Sequence, residues 1–201
     1  RELLVSKARR FQAFVGGSYI EERDGQRYNT FVLAMPDGST ASHDKDLPTM
    51  WENCYYAPGC DNGILDTPLG PLGAVLCWEF IRVRTVQRLL GKVDCVVGGS
   101  CWWSVPMNWP FKPFWQLHHR KNQGVMAITP LTLSRLLGVA VVHAAHAGEF
   151  RASMPLMPGI PYDSHYLGET QIIDRSGKIA ARMKQEEGEG VIAADITLGR
   201  A

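Results

Sequence analysis

The chemistry of this chain is expected around Cys77, which ends the apolar run Pro71-Leu72-Gly73-Ala74-Val75-Leu76 and precedes Trp78-Glu79. Leu72, Ala74, Val75 and Leu76 form a stretch of strand length that suits a strand buried on both faces. Ile81, Val83, Val86, Leu89 and Leu90, interleaved with Arg82, Arg84, Gln87 and Arg88, predict a helix stopped at Gly91. Cys77 then lies at the turn between strand and helix. A thiol so placed projects from the end of a sheet, and the N–H groups of the first helical turn favour its thiolate and any oxyanion beside it. The alternative is a small buried side chain with no chemistry.

Other candidates are residues able to cooperate with the thiol. Lys45 falls at the end of a strand in His43-Asp44-Lys45-Asp46-Leu47-Pro48-Thr49, where Pro48 ends pairing. It is either a solvated strand-end lysine or a cation that favours the thiolate and holds an oxyanion. Glu52 is a surface carboxylate unless Trp51, Tyr55 and Tyr56 bury it. His143 and His146, together with His118-His119, raise a metal hydrolase as an alternative. Positions three apart on a strand face opposite ways, so no metal ligands are assigned.

These residues require a scaffold. The 201 residues carry a net charge of +1, which points to one domain with a substantial core and to no nucleic-acid partner. No apolar run reaches membrane-spanning length and the first ten residues lack a signal-peptide layout, so no membrane partner and a cytoplasmic location are expected. The five cysteines, Cys54, Cys60, Cys77, Cys95 and Cys101, contain no C-x-x-C pair and read as free thiols. Residues 1 to 10 read as a helix already in progress. Strands are expected around 13–20 and 28–35, the second turning at Pro36-Asp37-Gly38-Ser39 into an antiparallel strand over 40–45. Residues 46 to 62 form a long aromatic loop. Further strands are expected at 64–67, 93–97, 125–129 and 139–144, with helices at 114–123 and 130–137. A proline-rich loop then covers 149–165, before strands at 170–173, 178–183 and 191–196. Strand and helix alternation implies parallel strands, an α/β fold with mixed sheets and helices outside.

In this order the motifs resemble the carbon-nitrogen hydrolase family, the nitrilase superfamily. Lys45-Asp46-Leu47-Pro48-Thr49 followed by Glu52 resembles the lysine motif with its additional glutamate, and Leu76-Cys77-Trp78-Glu79 the nucleophile motif of the branch acting on nitriles. Gly16-Gly17-Ser18, Gly168 with Thr170, and Asp174 through Gly177 fall in the expected order. The resemblance implies an αββα sandwich, a Glu-Lys-Cys catalytic set, no cofactor, a small-molecule nitrile or amide substrate and a homo-oligomer. It makes Cys77 the nucleophile, with Lys45 and the Trp78 N–H facing the oxyanion and Glu52 orienting Lys45 or the substrate amine. Trp78, Trp102, Trp103 and His146 are assigned to substrate binding. The family's base glutamate and two early strands would precede residue 1. The expectations are then a single domain over 1–201 that is incomplete at its start, an open groove beside Cys77, and slow turnover. An inactive remnant or assembly subunit of the same fold is the non-enzyme alternative. His143-Ala144-Ala145-His146 also departs from the asparagine that many members place there.

Overall fold

The computed structural model describes residues 1–154 and 156–201. Leu4 and Ala8 share one side of helix α1 (Glu2–Phe11), which lies across a three-stranded antiparallel sheet of β1 (Val15–Arg23), β2 (Gln26–Ala34) and β3 (Thr40–Asp44). Asp24 and Gly25 make the β1–β2 turn with φ of 51° and 73°. A two-residue hairpin connection with both central residues in the left-handed region follows the right-handed twist of its strands. Along β2 the period of two separates Phe31 and Leu33, which face the second sheet, from the buried Val32 and Ala34 beneath α1.

The second sheet has six strands, starting with β4 (Ile64–Leu65) and β5 (Leu72–Leu76). After helix α2 (Val83–Leu89) come β6 (Cys95–Ser100), helix α3 (Lys112–Leu137) and β7 (Ala140–Ala145). A hairpin of β8 (Glu149–Met154) and β9 (Met157–His165) stands apart, and β10 (Thr170–Ile173) and β11 (Ile179–Met183) complete the sheet in the order β11-β10-β7-β6-β5-β4. β5, β6 and β7 run parallel, as the crossover helices require. Leu72, Ala74, Leu76, Cys95 and Ala140 meet Phe31 and Leu33 between the sheets. Val75, Val96 and Val141 meet Leu89, Leu133 and Leu137 of the outer helices. The layers are therefore α, β, β, α, with a core on either side of the six-stranded sheet. Each buried Leu or Val contributes about 1.5–3 kcal/mol to holding them together.

Three expected elements differ. Residues 125–129 are not a strand: they belong to α3, which passes through Pro130. Met126, Thr129, Pro130, Leu133 and Leu137 are buried at helical spacing, and that face outweighs the β-branched character of the segment. The hydroxyl of Thr129 donates to the Val125 carbonyl (2.7 Å), and Gln171 Nε2 donates to the Ala127 carbonyl (2.8 Å), beside the proline break. Of the expected proline-rich loop over 149–165, residue 155 lies outside the described residues, and Glu149–Met154 and Met157–His165 pair as β8 and β9, tied to residues 104–107 by Ser104 N–H to His165 O and Met107 N–H to Asp163 O, both 2.8 Å. Residues 191–196 form no strand. Ile196 and Leu198 instead pack against the inter-sheet core, and Gly199 and Ala201 donate to the Asp94 and Gly138 carbonyls.

Candidate active site

β5 delivers Cys77. The residue has φ 53°, a left-handed conformation unusual for cysteine, and opens a five-residue 3-10 turn, Cys77–Ile81; α2 begins only at Val83. The expected direct junction of strand and α-helix is thus replaced by a tight turn, and a long helix does not aim at the sulfur. Parallel pairing sets Leu76 of β5 beside Gly99 of β6. At Gly98 a Cβ would lie 1.8 Å from the Val75 carbonyl oxygen, so only glycine permits this approach of β6 to the strand that carries Cys77.

Lys45 follows β3 and is 2% exposed, so it is not a solvated lysine. Its N–H donates to the Asn29 carbonyl (2.9 Å), and its carbonyl accepts the Gly59 N–H (2.8 Å), which fastens the aromatic loop to the sheet. Lys45 Nζ is ion-paired with Glu52, which stands in a short 3-10 turn, Met50–Cys54, and also accepts the Thr49 N–H at 2.6 Å. The loop glutamate and the lysine are therefore one unit. Burial pushes the Cys77 thiol up to about 11, the Lys45 charge and the Trp78 backbone N–H pull it down, and Glu52 pushes it up again. The expected bias of Lys45 toward the thiolate is present, but Glu52 offsets it and burial outweighs it.

Cys77 and Glu52 line a cleft of about 780 Å³ between the sheets, with Gly16 to Ile20 of β1 and Phe31, Trp51, Tyr55, Tyr56, Trp103 and His146 around it. Of the four residues expected to bind substrate, Trp103 and His146 line the cleft. Trp78 and Trp102 pack on one another with ring centroids 5.4 Å apart and do not line the cleft. They brace the Cys77 turn against the loop after β6.

Glu79, two residues past the thiol, directs its carboxylate away from the cleft. It is fully buried and accepts the Leu76 N–H (2.7 Å), the Asp46 N–H (2.9 Å) and His43 Nε2 (3.1 Å). His43 Nδ1 meets Asp61 at 2.5 Å. Burial works against the charged ring, but hydrogen bonds to Asp61 and Glu79 raise His43 to about 9. Burial likewise works to raise Glu79, yet the His43 bond and charge and the Arg88 charge hold it down to about 2. An imidazolium is therefore held between two carboxylates, one of which also binds the N–H of the residue before the thiol. Sequence reasoning passed over His43, Asp61 and Glu79 as members of a site. The available signal was the placement of His43 and Glu79 two residues from Lys45 and Cys77.

Elsewhere, Glu21 pairs with Arg1 and Arg23, and Glu22 with Arg27. The histidines also have protein partners: His143 contacts Ser100 Oγ (2.9 Å) and the Glu169 carbonyl (3.1 Å), and burial drives its pKa down to about 4. His119 contacts Ser104 Oγ at 2.6 Å, and His118 packs on Phe114. Among the described residues no group of three or more His, Cys, Asp and Glu is arranged to hold a metal. No helix of the described residues is long and apolar enough to cross a membrane.

Comparison with known proteins places this geometry. An aliphatic nitrilase from Sinorhizobium fredii (strain HH103) is 36% identical over 94 residues, covering 45% of this chain and 30% of that protein. The carbon-nitrogen hydrolase from Helicobacter pylori G27 superposes with a TM-score of 0.80 at 18% identity, over 98% of this chain and 66% of that one. An amidase mutant from Nesterenkonia sp. AN1, with the acetamide moiety of fluoroacetamide covalently added at its active-site cysteine, gives a TM-score of 0.68 at 17% identity, over 92% and 62%. The chain thus spans under a third of the curated nitrilase and at most 66% of these solved structures. The αββα layering is that of these solved structures, and the carbon-nitrogen hydrolase family model matches residues 1–119, which include β3, the aromatic loop and the Cys77 turn: the chain belongs to the carbon-nitrogen hydrolase family.

Proposed function

We propose that this chain carries the thiol centre of a hydrolase that cleaves non-peptide carbon-nitrogen bonds, converting a nitrile or amide to an acid through a cysteine thioester. The observation that carries the reading is that Cys77 and Glu52 line one aromatic cleft while Glu52 is ion-paired with the buried Lys45, whose charge acts on the thiol. Cys77 Sγ attacks the substrate carbon, and the negative charge that develops on oxygen or nitrogen faces the Lys45 ammonium and the Trp78 N–H. With an amide the leaving nitrogen takes up the thiol proton and departs as ammonia or an amine; with a nitrile one water first adds to the thioimidate before ammonia departs; in both cases a further water hydrolyses the thioester. With the thiol held up to about 11, attack requires transfer of its proton to a base, because only about one molecule in ten thousand is thiolate at neutral pH. Glu52 holds Lys45 in place and orients the leaving amine.

Phe31, Trp51, Tyr55 and Trp103 favour a neutral substrate with an apolar or aromatic acyl group. Trp78 and Trp102 are assigned to supporting the Cys77 turn. The exposed Phe114, Leu117 and Ile128 on α3 support a homo-oligomer, and a cytoplasmic location accords with the free thiols. The high thiol pKa also favours a second reading, that the chain taken alone reacts once and turns over slowly. Ammonia release from a panel of neutral nitriles and amides tests both. Continuous release that disappears in Cys77→Ala supports hydrolysis, a stable Cys77 adduct with release that stops at or below one equivalent supports the second reading, and release that survives Cys77→Ala refutes both.

A further inference from the structure

We infer that Glu79, with His43 as its counter-cation, is the positioning group that fixes the separation of Cys77 and Lys45. The inference rests on the reading of Cys77 as nucleophile and goes beyond it. Cys77 and Lys45 come from different sheets, and neither strand pairing nor the Lys45–Glu52 bond fixes their separation. One carboxylate spans the gap. Glu79 accepts the N–H of Leu76, the residue before the thiol, at 2.7 Å, and that of Asp46, the residue after the lysine, at 2.9 Å. The backbones flanking both groups are therefore bound to the same side chain, two residues past Cys77.

The surroundings of Glu79 hold that carboxylate still. His43 Nε2 lies 3.1 Å from both of its oxygens, and Arg88 Nη2 lies 3.5 Å from one of them. His43 is itself anchored by Asp61, which accepts the Asp44 N–H (2.9 Å) and the Gly63 N–H (2.7 Å) and so locks the end of β3 to the start of β4. Asp46 closes the ring from the other side through Arg82 (2.5 Å), whose Nη2 also donates to the Leu47 carbonyl at 2.9 Å. Both Glu79 and His43 are at most 1% exposed. A buried charge with this many partners occupies one position, and its removal leaves the partners unsatisfied. Neither residue touches the cleft, so their effect on the reaction passes through Cys77 and Lys45.

In a background with the exposed Cys54, Cys60 and Cys101 replaced by serine, two probes of the same thiol separate positioning from folding. Iodoacetamide alkylates sulfur by displacement and needs no oxyanion contact. An activated ester such as p-nitrophenyl acetate acylates it: the S–C bond forms, the C–O bond breaks, nitrophenolate leaves, the thiol proton passes to solvent, and the oxyanion must meet Lys45 and the Trp78 N–H. Glu79→Gln should lower the nitrophenolate burst rate about 10-fold to 100-fold while alkylation changes by no more than about threefold. Asp61→Asn, which leaves Glu79 in place, should lower the burst to alkylation ratio in the same direction by a smaller factor. If Glu79→Gln does not fold, Asp61→Asn decides. An unchanged ratio in every folded variant overturns the inference. A burst that persists in Cys77→Ala overturns the nucleophile reading instead, and the two failures are thereby told apart.

Discussion

Raising the pH should loosen the protein through one histidine. His43 ionises near 6.5 when unfolded and at about 9 in the fold. A group whose folded pKa is raised contributes stability that is fully present below the unfolded value and is lost as pH rises through the folded value. The full shift corresponds to about 3–4 kcal/mol at about 1.4 kcal/mol per unit. Because most of the ring is deprotonated only above 9, the loss between about pH 7 and pH 8.5 is roughly 2 kcal/mol. On the acid side Glu79, held down to about 2, loses its contribution as pH falls from about 4.5. The His43–Glu79 pair is therefore complete between roughly pH 4.5 and 6.5. Urea unfolding of the native chain and of His43→Gln across the alkaline interval isolates the effect, since every other titrating group is common to both. The native chain should lose about 2 kcal/mol more than the variant. Equal losses, or a native stability that stays flat, would refute the assignment of a buried imidazolium.

Lys45→Met should slow acylation of Cys77 by about 100-fold or more, as removal of an oxyanion donor does; near-normal rates in ester-burst kinetics would return Lys45 to a structural role. The rate of iodoacetamide alkylation should climb with pH toward an apparent pKa near 11, because burial opposes the thiolate more than Lys45 supports it. A plateau below about pH 8 would show a thiolate stabilised far beyond what this site provides. Gly98→Ala should destabilise the chain by several kcal/mol, because the added methyl meets the Val75 carbonyl at 1.8 Å, and denaturant unfolding would register the change.

The central strands were legible because they are buried on both faces and bounded by glycine and proline. β5 and β6, and the hairpins at Asp24-Gly25 and Asp174 to Gly177, follow from local composition. Cys77 was legible for the same reason, at the point where an uninterrupted apolar strand gives way to a turn. Residues 125–129 misled because Val125, Ile128 and Thr129 are β-branched, whereas their neighbours at helical spacing cover the sheet; long-range burial decided. The tail failed for the opposite reason: Val191 to Ile196 has strand composition, but it is Ile196 and Leu198 that pack on the core, and Val191 is 92% exposed. Lys45 and Glu52 stand out through their motif, and their ion pair belongs to the tertiary structure. The His43–Glu79 contact joins residues 36 apart in sequence, so no local pattern announces it. The burial that opposes the Cys77 thiolate is a property of the assembled sheets and has no local sequence signature.

The most direct test of the account is to locate the acyl group. The folded chain is incubated with a small aromatic amide, nitrile or activated ester, quenched in acid and digested, and the cysteine peptides are read by mass spectrometry. The account predicts one acyl adduct, on the peptide containing Cys77, with Cys54, Cys60, Cys95 and Cys101 unmodified and the adduct absent in Cys77→Ala. An adduct on any other residue, or undiminished labelling of Cys77→Ala, would contradict it.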